Sequence, residues 1–143
     1  MGYKLGRRSL GNLSGVHPIM VAIVCLAILK TKRDFTVIDG VRTIEEQKAL
    51  FASGDSETMK SKHLPQKDGF GHAVDLLPLF DGKGSYKSME AFGEVKVAMD
   101  EAADELGVNI IWGNDWDDDG IPVRQDPDEN FVDAPHFQLD LGA

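Results

Sequence analysis

Two periods organise the apolar positions of this chain. The run IMVAIVCLAIL (19–29) is apolar throughout and is opened by His17-Pro18, with the proline in the first turn, where its missing N–H is harmless. It predicts a central helix to about Lys30, buried on most of its sides. FTVID (35–39) has the period of a strand. In GVRTIEEQKALFASG, Thr43 and Glu46 are spaced as a capping box and Gly54 is a stop, so Arg42 falls at a strand-to-helix junction, where a side chain can project into a cleft. HAVDLL (72–77) reads as a second strand. SMEAFGEVKVAMDEAADELG (88–107) places Met89, Phe92, Val95, Met99, Ala102 and Leu106 at helical spacing, with Ser88 as N-cap and Gly107 as C-cap. VNIIWG (108–113) and PHFQLDL (135–141) are the third and fourth strands. Helices and strands mix without regular βαβ repetition, which predicts an α+β fold.

Composition narrows the function classes. With 143 residues, the chain is expected to form one domain, 1–143, around a single core. A formal net charge of -9 argues against nucleic-acid binding, which needs a basic face. The acidity is concentrated in residues 115–133, while Lys4, Arg7 and Arg8 make the start basic. Cys25 is the single cysteine, so there is no internal disulfide framework, and its place in the apolar run predicts a small buried thiol. Basic residues followed by that run imitate a signal peptide. The chain continues KTKRDF with no small-residue cleavage site, and the run is too short to span a bilayer, so neither a signal peptide nor stable membrane insertion is expected.

Strand alternation then gives the chemistry. In PHFQL, Phe137 and Leu139 share one face, and His136 and Gln138 the other; in AVDLL, Val74 and Leu76 oppose Asp75. If the apolar faces cover the core, Asp75 and His136 point outward together, and His63 on the preceding loop can complete a three-ligand set. Two imidazoles and a carboxylate with one open position are what a catalytic zinc needs. Alternation puts His72 on the Val74 face, although Gly69 and Gly71 could break that register; His72 is therefore read as a supporting or structural histidine. Ser61 and Gln138 are candidates for orienting the ligands.

The residues S-x-H…G-x-A-x-D, here Ser61, His63, Gly71, Ala73 and Asp75, resemble the signature of zinc peptidases that cut peptidoglycan peptides. This is the D-alanyl-D-alanine carboxypeptidase and L-alanyl-D-glutamate endopeptidase family, related in fold to the hedgehog signalling domain. The ending D-x-P-H-F-Q-L resembles its second signature and GVRTIEEQ its arginine segment, so the likeness runs from about residue 35 to the end. It implies a small antiparallel sheet packed against helices, and zinc held by His63, Asp75 and His136. It implies Asp133 as the catalytic base and Arg42 as the group that steadies the substrate or the developing oxyanion. The chain departs from the pattern in LPQKDGF (64–70), an apparent insertion between the first histidine and the glycine.

A lone catalytic domain resembles phage endolysins of the L-alanyl-D-glutamate type. The resemblance implies peptidoglycan as substrate, action as a monomer, and accumulation in the cytoplasm of the infected cell before release to the wall. The alternatives are a D-alanyl-D-alanine carboxypeptidase and a non-catalytic, zinc-stabilised binding module; a binding module has no need of a carboxylate at Asp133. On local sequence alone, Asp133 also reads as a turn residue before Pro135, and Arg42 as a surface partner of Glu45 or Glu46.

NDWDDDGIPVRQDPDE adds a candidate calcium loop. Asp115, Asp117, Asp119 and Gly120 match positions 1, 3, 5 and 6 of an EF-hand, and Asp126 falls at position 12, where glutamate is usual. Pro122 occupies the normally aliphatic position 8, and no helix clearly precedes the loop, so an acidic surface loop is the alternative. Trp112 is expected in the core, and Trp116 in the core or the cleft.

Overall fold

The computed structural model describes residues 2–54, 61–113 and 134–141. Its elements are α1 (Arg7–Asn12), α2 (Pro18–Lys30), β1 (Phe35–Asp39), α3 (Ile44–Ser53), β2 (Ala73–Phe80), β3 (Lys83–Gly84), α4 (Met89–Leu106), β4 (Asn109–Trp112) and β5 (His136–Asp140). The strands form one antiparallel sheet in the order β1-β2-β5-β4, with β3 folding back on the end of β2. This is the α+β layout expected, a small antiparallel sheet with helices against it.

The expected caps are present. Thr43 and Glu46 form a reciprocal capping box on α3, and Gly54 ends it in the left-handed conformation. The Ser88 side chain accepts from the Ala91 N–H to open α4, and Gly107 closes it. The core lies between one sheet face and α2 with α4. Val74 and Leu76 of β2 and Phe137 and Leu139 of β5 meet Met20, Ile23 and Val24 of α2 and Phe92, Val95 and Met99 of α4. Trp112 belongs to this core, stacked near Phe137, with its Nε1 donating to the Ala134 carbonyl at 2.6 Å.

The helices correct the expectation in three places. α2 is not buried on most sides: it buries one stripe and leaves Ile19, Leu29 and Cys25 exposed, so the thiol is not a core group. As an outer layer, α2 has partners on one side only. Met89 and Leu106, at the two ends of α4, overhang the core and are exposed. α1 has no apolar stripe to announce it, and its one buried residue is Ser9. Ser9 Oγ accepts the Val37 N–H at 2.9 Å, and Asn12 Nδ2 donates to the Val37 carbonyl at 2.7 Å. α1 thereby satisfies the outer edge of β1, which would otherwise offer unpaired backbone groups.

That close approach requires Gly40, where a Cβ would come within 1.9 Å of the Asn12 carbonyl oxygen. The loop before β2 is pinned in turn. The Gly71 carbonyl accepts from the His17 N–H at 2.9 Å, and the Gly71 N–H donates to the Gly15 carbonyl at 3.1 Å. Within the inserted stretch, the Gln66 N–H donates to the Phe70 carbonyl and the Gly69 N–H to the Gln66 carbonyl, with Gly69 at positive φ. The insertion is a tight turn closed on itself.

Candidate metal centre

The sheet face opposite the core carries Asp75, His136 and Gln138. β2 and β5 are neighbours, and Asp75 stands directly across from His136 in the ladder. Cross-strand partners lie within side-chain reach of each other. His63 arrives from the loop above. The Arg42 N–H donates to the His63 carbonyl at 2.9 Å, and the His63 N–H donates to Ser61 Oγ at 3.1 Å. The face does not open straight to solvent as the alternation suggested: the β1–α3 junction and the His63 loop roof it, and His63 and His136 are buried.

His63 Nε2 lies 3.2 Å and His136 Nδ1 3.3 Å from the same oxygen, Asp75 Oδ1. The two rings meet edge to face, with centroids 5.0 Å apart. Their remaining nitrogens are also engaged. His63 Nδ1 is 2.7 Å from the Gly40 carbonyl, and His136 Nε2 is 2.9 Å from Gln138 Oε1. Both of those oxygens can only accept, so Nδ1 of His63 and Nε2 of His136 carry the protons. In the neutral rings, His63 Nε2 and His136 Nδ1 then present lone pairs, and both converge on a carboxylate oxygen. Three electron-pair donors within 4.8 Å of one another require a cation or a proton among them. Ligating histidines that donate their far N–H to a fixed acceptor are the usual support of a metal site, so the donor set fits a divalent cation. Burial pushes the Asp75 carboxyl up. Where protons rather than a cation fill the site, on His136 Nδ1 and His63 Nε2, their hydrogen bonds and the charge of the rings outweigh burial and hold the carboxyl below the ordinary carboxylate range.

Arg42 stands on the far side of Asp75. Its Nε and Nη2 donate to Asp39 Oδ2 at 3.0 and 2.5 Å, and its Nη1 donates to Gln47 Oε1 at 2.7 Å. Nη2 is 3.7 Å from Asp75 Oδ2. The arginine is buried, and its partners are Asp39, Gln47 and Asp75 rather than Glu45 or Glu46. The sequence reading passed over Asp39, the Gly40 carbonyl and Gln47. Gln47 is fully buried, and an unpaired buried amide costs about 1–3 kcal/mol, so its bond to Arg42 matters to the fold as well.

Ser61 and Gln138 therefore touch His63 and His136 directly. His72 does not join them: its Nε2 is 2.7 Å from Asp68 Oδ2, and its ring packs edge to face on His17. The candidate base Asp133, the acidic positions Asp115, Asp117, Asp119 and Asp126, and Trp116 lie outside the described residues. No helix among the described residues is long and apolar enough to cross a membrane.

Fold and donor set together define a class: a small α+β domain with two imidazoles and a carboxylate gathered on a roofed sheet face, the ligand set of hydrolytic metal centres. Residues 1–140 match the family of phage L-alanyl-D-glutamate peptidases, and the chain belongs to that family. It is 33% identical over 142 residues to the L-alanyl-D-glutamate peptidase of Escherichia phage T5, covering 97% of this chain and 99% of that protein. A second relative, the L-alanyl-D-glutamate peptidase of Listeria phage A118, is 35% identical over 107 residues, which are 72% of this chain but 29% of that longer protein. Among solved structures, the Serratia marcescens L-Ala D-Glu endopeptidase ChiX superposes with a TM-score of 0.75 at 32% identity, covering 94% of this chain and 87% of that one.

Proposed function

We propose that this chain is a single-domain zinc peptidase that hydrolyses the L-alanyl-D-glutamate bond of the peptidoglycan stem peptide. The observation that carries the reading is the convergence of His63 Nε2, Asp75 Oδ1 and His136 Nδ1, with both outer ring nitrogens tied down by acceptors. Membership of the phage L-alanyl-D-glutamate peptidase family supplies the substrate. Two imidazoles and one carboxylate suit zinc among the divalent ions. A zinc ion held by these three residues would supply Lewis-acid polarisation of water and of the scissile carbonyl.

The chain's own groups do the rest. The Asp133 carboxylate takes the proton of the attacking water and passes it to the leaving amine. Arg42, held beside Asp75, offers guanidinium N–H groups to the oxygen that gains charge. Gln138 and the Gly40 carbonyl keep the His136 and His63 imidazoles in their ligating orientation, and Ser61 holds the His63 backbone. The enzyme acts as a monomer, is made in the cytoplasm of the infected cell, and reaches the wall when another protein opens the membrane. Asp115, Asp117, Asp119 and Asp126 are proposed to take calcium, on sequence spacing alone; an Asp117→Ala variant whose lysis still responds to added calcium would remove that part.

The test is digestion of purified wall material by wild type and Asp133→Ala, with new termini identified by mass spectrometry. Wild type is expected to create alanine C-termini paired with glutamate N-termini, and Asp133→Ala to bind zinc but release neither. Free D-alanine would indicate a carboxypeptidase instead, and no new termini with either protein would indicate a binding module.

A further inference from the structure

α3 buries no apolar residue fully. Ile44 and Phe51 are exposed, and the one α3 residue that is buried is Gln47, at 0% exposure. A helix that turns an amide inward where packing would favour a hydrocarbon does so for the sake of that amide's partner. Helical side chains lean toward the N-terminus of their helix. From the second turn of α3, Gln47 therefore points back past the Thr43 cap to Arg42, the residue just ahead of it. Its Oε1 accepts from Arg42 Nη1 at 2.7 Å.

Resting on the peptidase reading above, we propose that Gln47 is the positioning residue for Arg42, setting the direction in which the guanidinium faces the reacting carbonyl. Asp39 grips one edge of the guanidinium, taking Nε and Nη2 on a single oxygen. A grip on one oxygen leaves the plane free to rock about that point. Gln47 takes the opposite corner, Nη1, and the two holds together fix the plane so that Nη2 faces Asp75 Oδ2 at 3.7 Å. Nη2 thereby lies beside a ligand of the metal centre, where an oxyanion would form. A neutral amide suits the place. Arg42 already lies between the carboxylates of Asp39 and Asp75, and a third anion would weaken the field it offers a developing negative charge.

The proposal is tested with the full chain, as Gln47→Met, which removes the acceptor at similar volume, and Gln47→Glu, which keeps it. Gln47→Met is expected to lower kcat about 10- to 100-fold on stem-peptide substrate, the size of effect a displaced catalytic group produces, with KM within about threefold of wild type. In an Arg42→Ala background the same substitution is expected to change kcat by less than about twofold, because its effect passes through the arginine. Equal losses in both backgrounds, or full activity in Gln47→Met, would overturn the proposal. A second readout needs no substrate. In metal-free protein labelled with nitrogen-15, separate Nη signals of Arg42, the sign of hindered rotation, are expected in wild type and Gln47→Glu and merged in Gln47→Met. Identical spectra for the three proteins would overturn the proposal even if the wild type proved to cut another bond. Where Gln47→Met does not fold, Gln47→Asn, an amide too short to reach Nη1, takes its place with the same expected outcomes.

Discussion

The described residues hold two His–Asp–His clusters, and they are built for different ends. In both, ligand-type atoms of two histidines and one aspartate lie within 4.8 Å of one another: His63, Asp75 and His136 in one, His17, Asp68 and His72 in the other. The first has two buried imidazoles whose outer nitrogens both donate to fixed acceptors. In the second, His17 Nδ1 accepts the Ile19 N–H at 3.0 Å as the N-cap of α2. A neutral His17 must therefore carry its proton on Nε2, which is the nitrogen that faces Asp68 at 3.7 Å. Asp68 is exposed, takes the Phe70 N–H on one oxygen and His72 on the other, and so ties the inserted turn to the start of α2. Residue types and close approach are shared; tautomer and burial make one set a nest of lone pairs and the other a hydrogen-bond clamp.

The sharpest way to break this contrast is to remove one histidine from each cluster and count metal. Wild type and His72→Ala are expected to hold about one zinc per chain, and His136→Ala almost none. Hydrolysis should fall in His136→Ala by more than the roughly 10- to 100-fold that even a supporting residue costs at a metal site, with His72→Ala close to wild type. Removing metal from wild type with a chelator should abolish hydrolysis and lower the thermal midpoint, and zinc should restore both. Two zinc ions per wild-type chain, one of them lost in His72→Ala, would erase the distinction.

A smaller effect probes the feature that separates the clusters, the fixed outer nitrogen. Gln138→Leu removes the acceptor of His136 Nε2–H. Zinc affinity, measured by competition with a chelating dye, should fall roughly 10- to 100-fold while the stoichiometry at saturating zinc stays the same. Unchanged affinity would mean that the tautomer is set by something other than Gln138.

The two clusters were also unequally visible in the sequence. Period-two alternation put Asp75 and His136 on one face and the apolar residues on the other, and the structure keeps those faces. Alternation cannot say which strands are neighbours; the ladder that sets Asp75 across from His136 spans a separation of 61 residues. The second cluster was hidden because His17 reads only as a helix opener and Asp68 lies in an insertion with no period. Gln47 carried a signal of its own: a polar residue directly after the capping box, one turn from Thr43, on the side of α3 that faces back to Arg42. α1 was missed for a physical reason, since it folds against the edge of β1 through Ser9 and Asn12 and carries no apolar stripe.

The smallest effect lies in the clamp itself, and its sign follows from Asp68. The Phe70 backbone N–H first and then the hydrogen bond from His72 hold the Asp68 carboxyl below the ordinary range, against the opposing effect of burial and with a lesser contribution from the charges of His72 and His17. A carboxyl depressed in the folded state contributes stability that is fully present above its unfolded value, about 3.9, and is lost as the pH falls through the lower folded value. Asp68→Asn is therefore expected to lower the thermal midpoint slightly near neutral pH. The difference from wild type should shrink as the solution is acidified below about pH 4, and at neutral pH the zinc content should equal that of wild type. A hydrogen-bond clamp loses its advantage when its carboxylate is protonated. A metal centre loses its ion when an aspartate ligand becomes an amide, so zinc lost from Asp68→Asn at neutral pH would show that the second cluster, too, is a binding site.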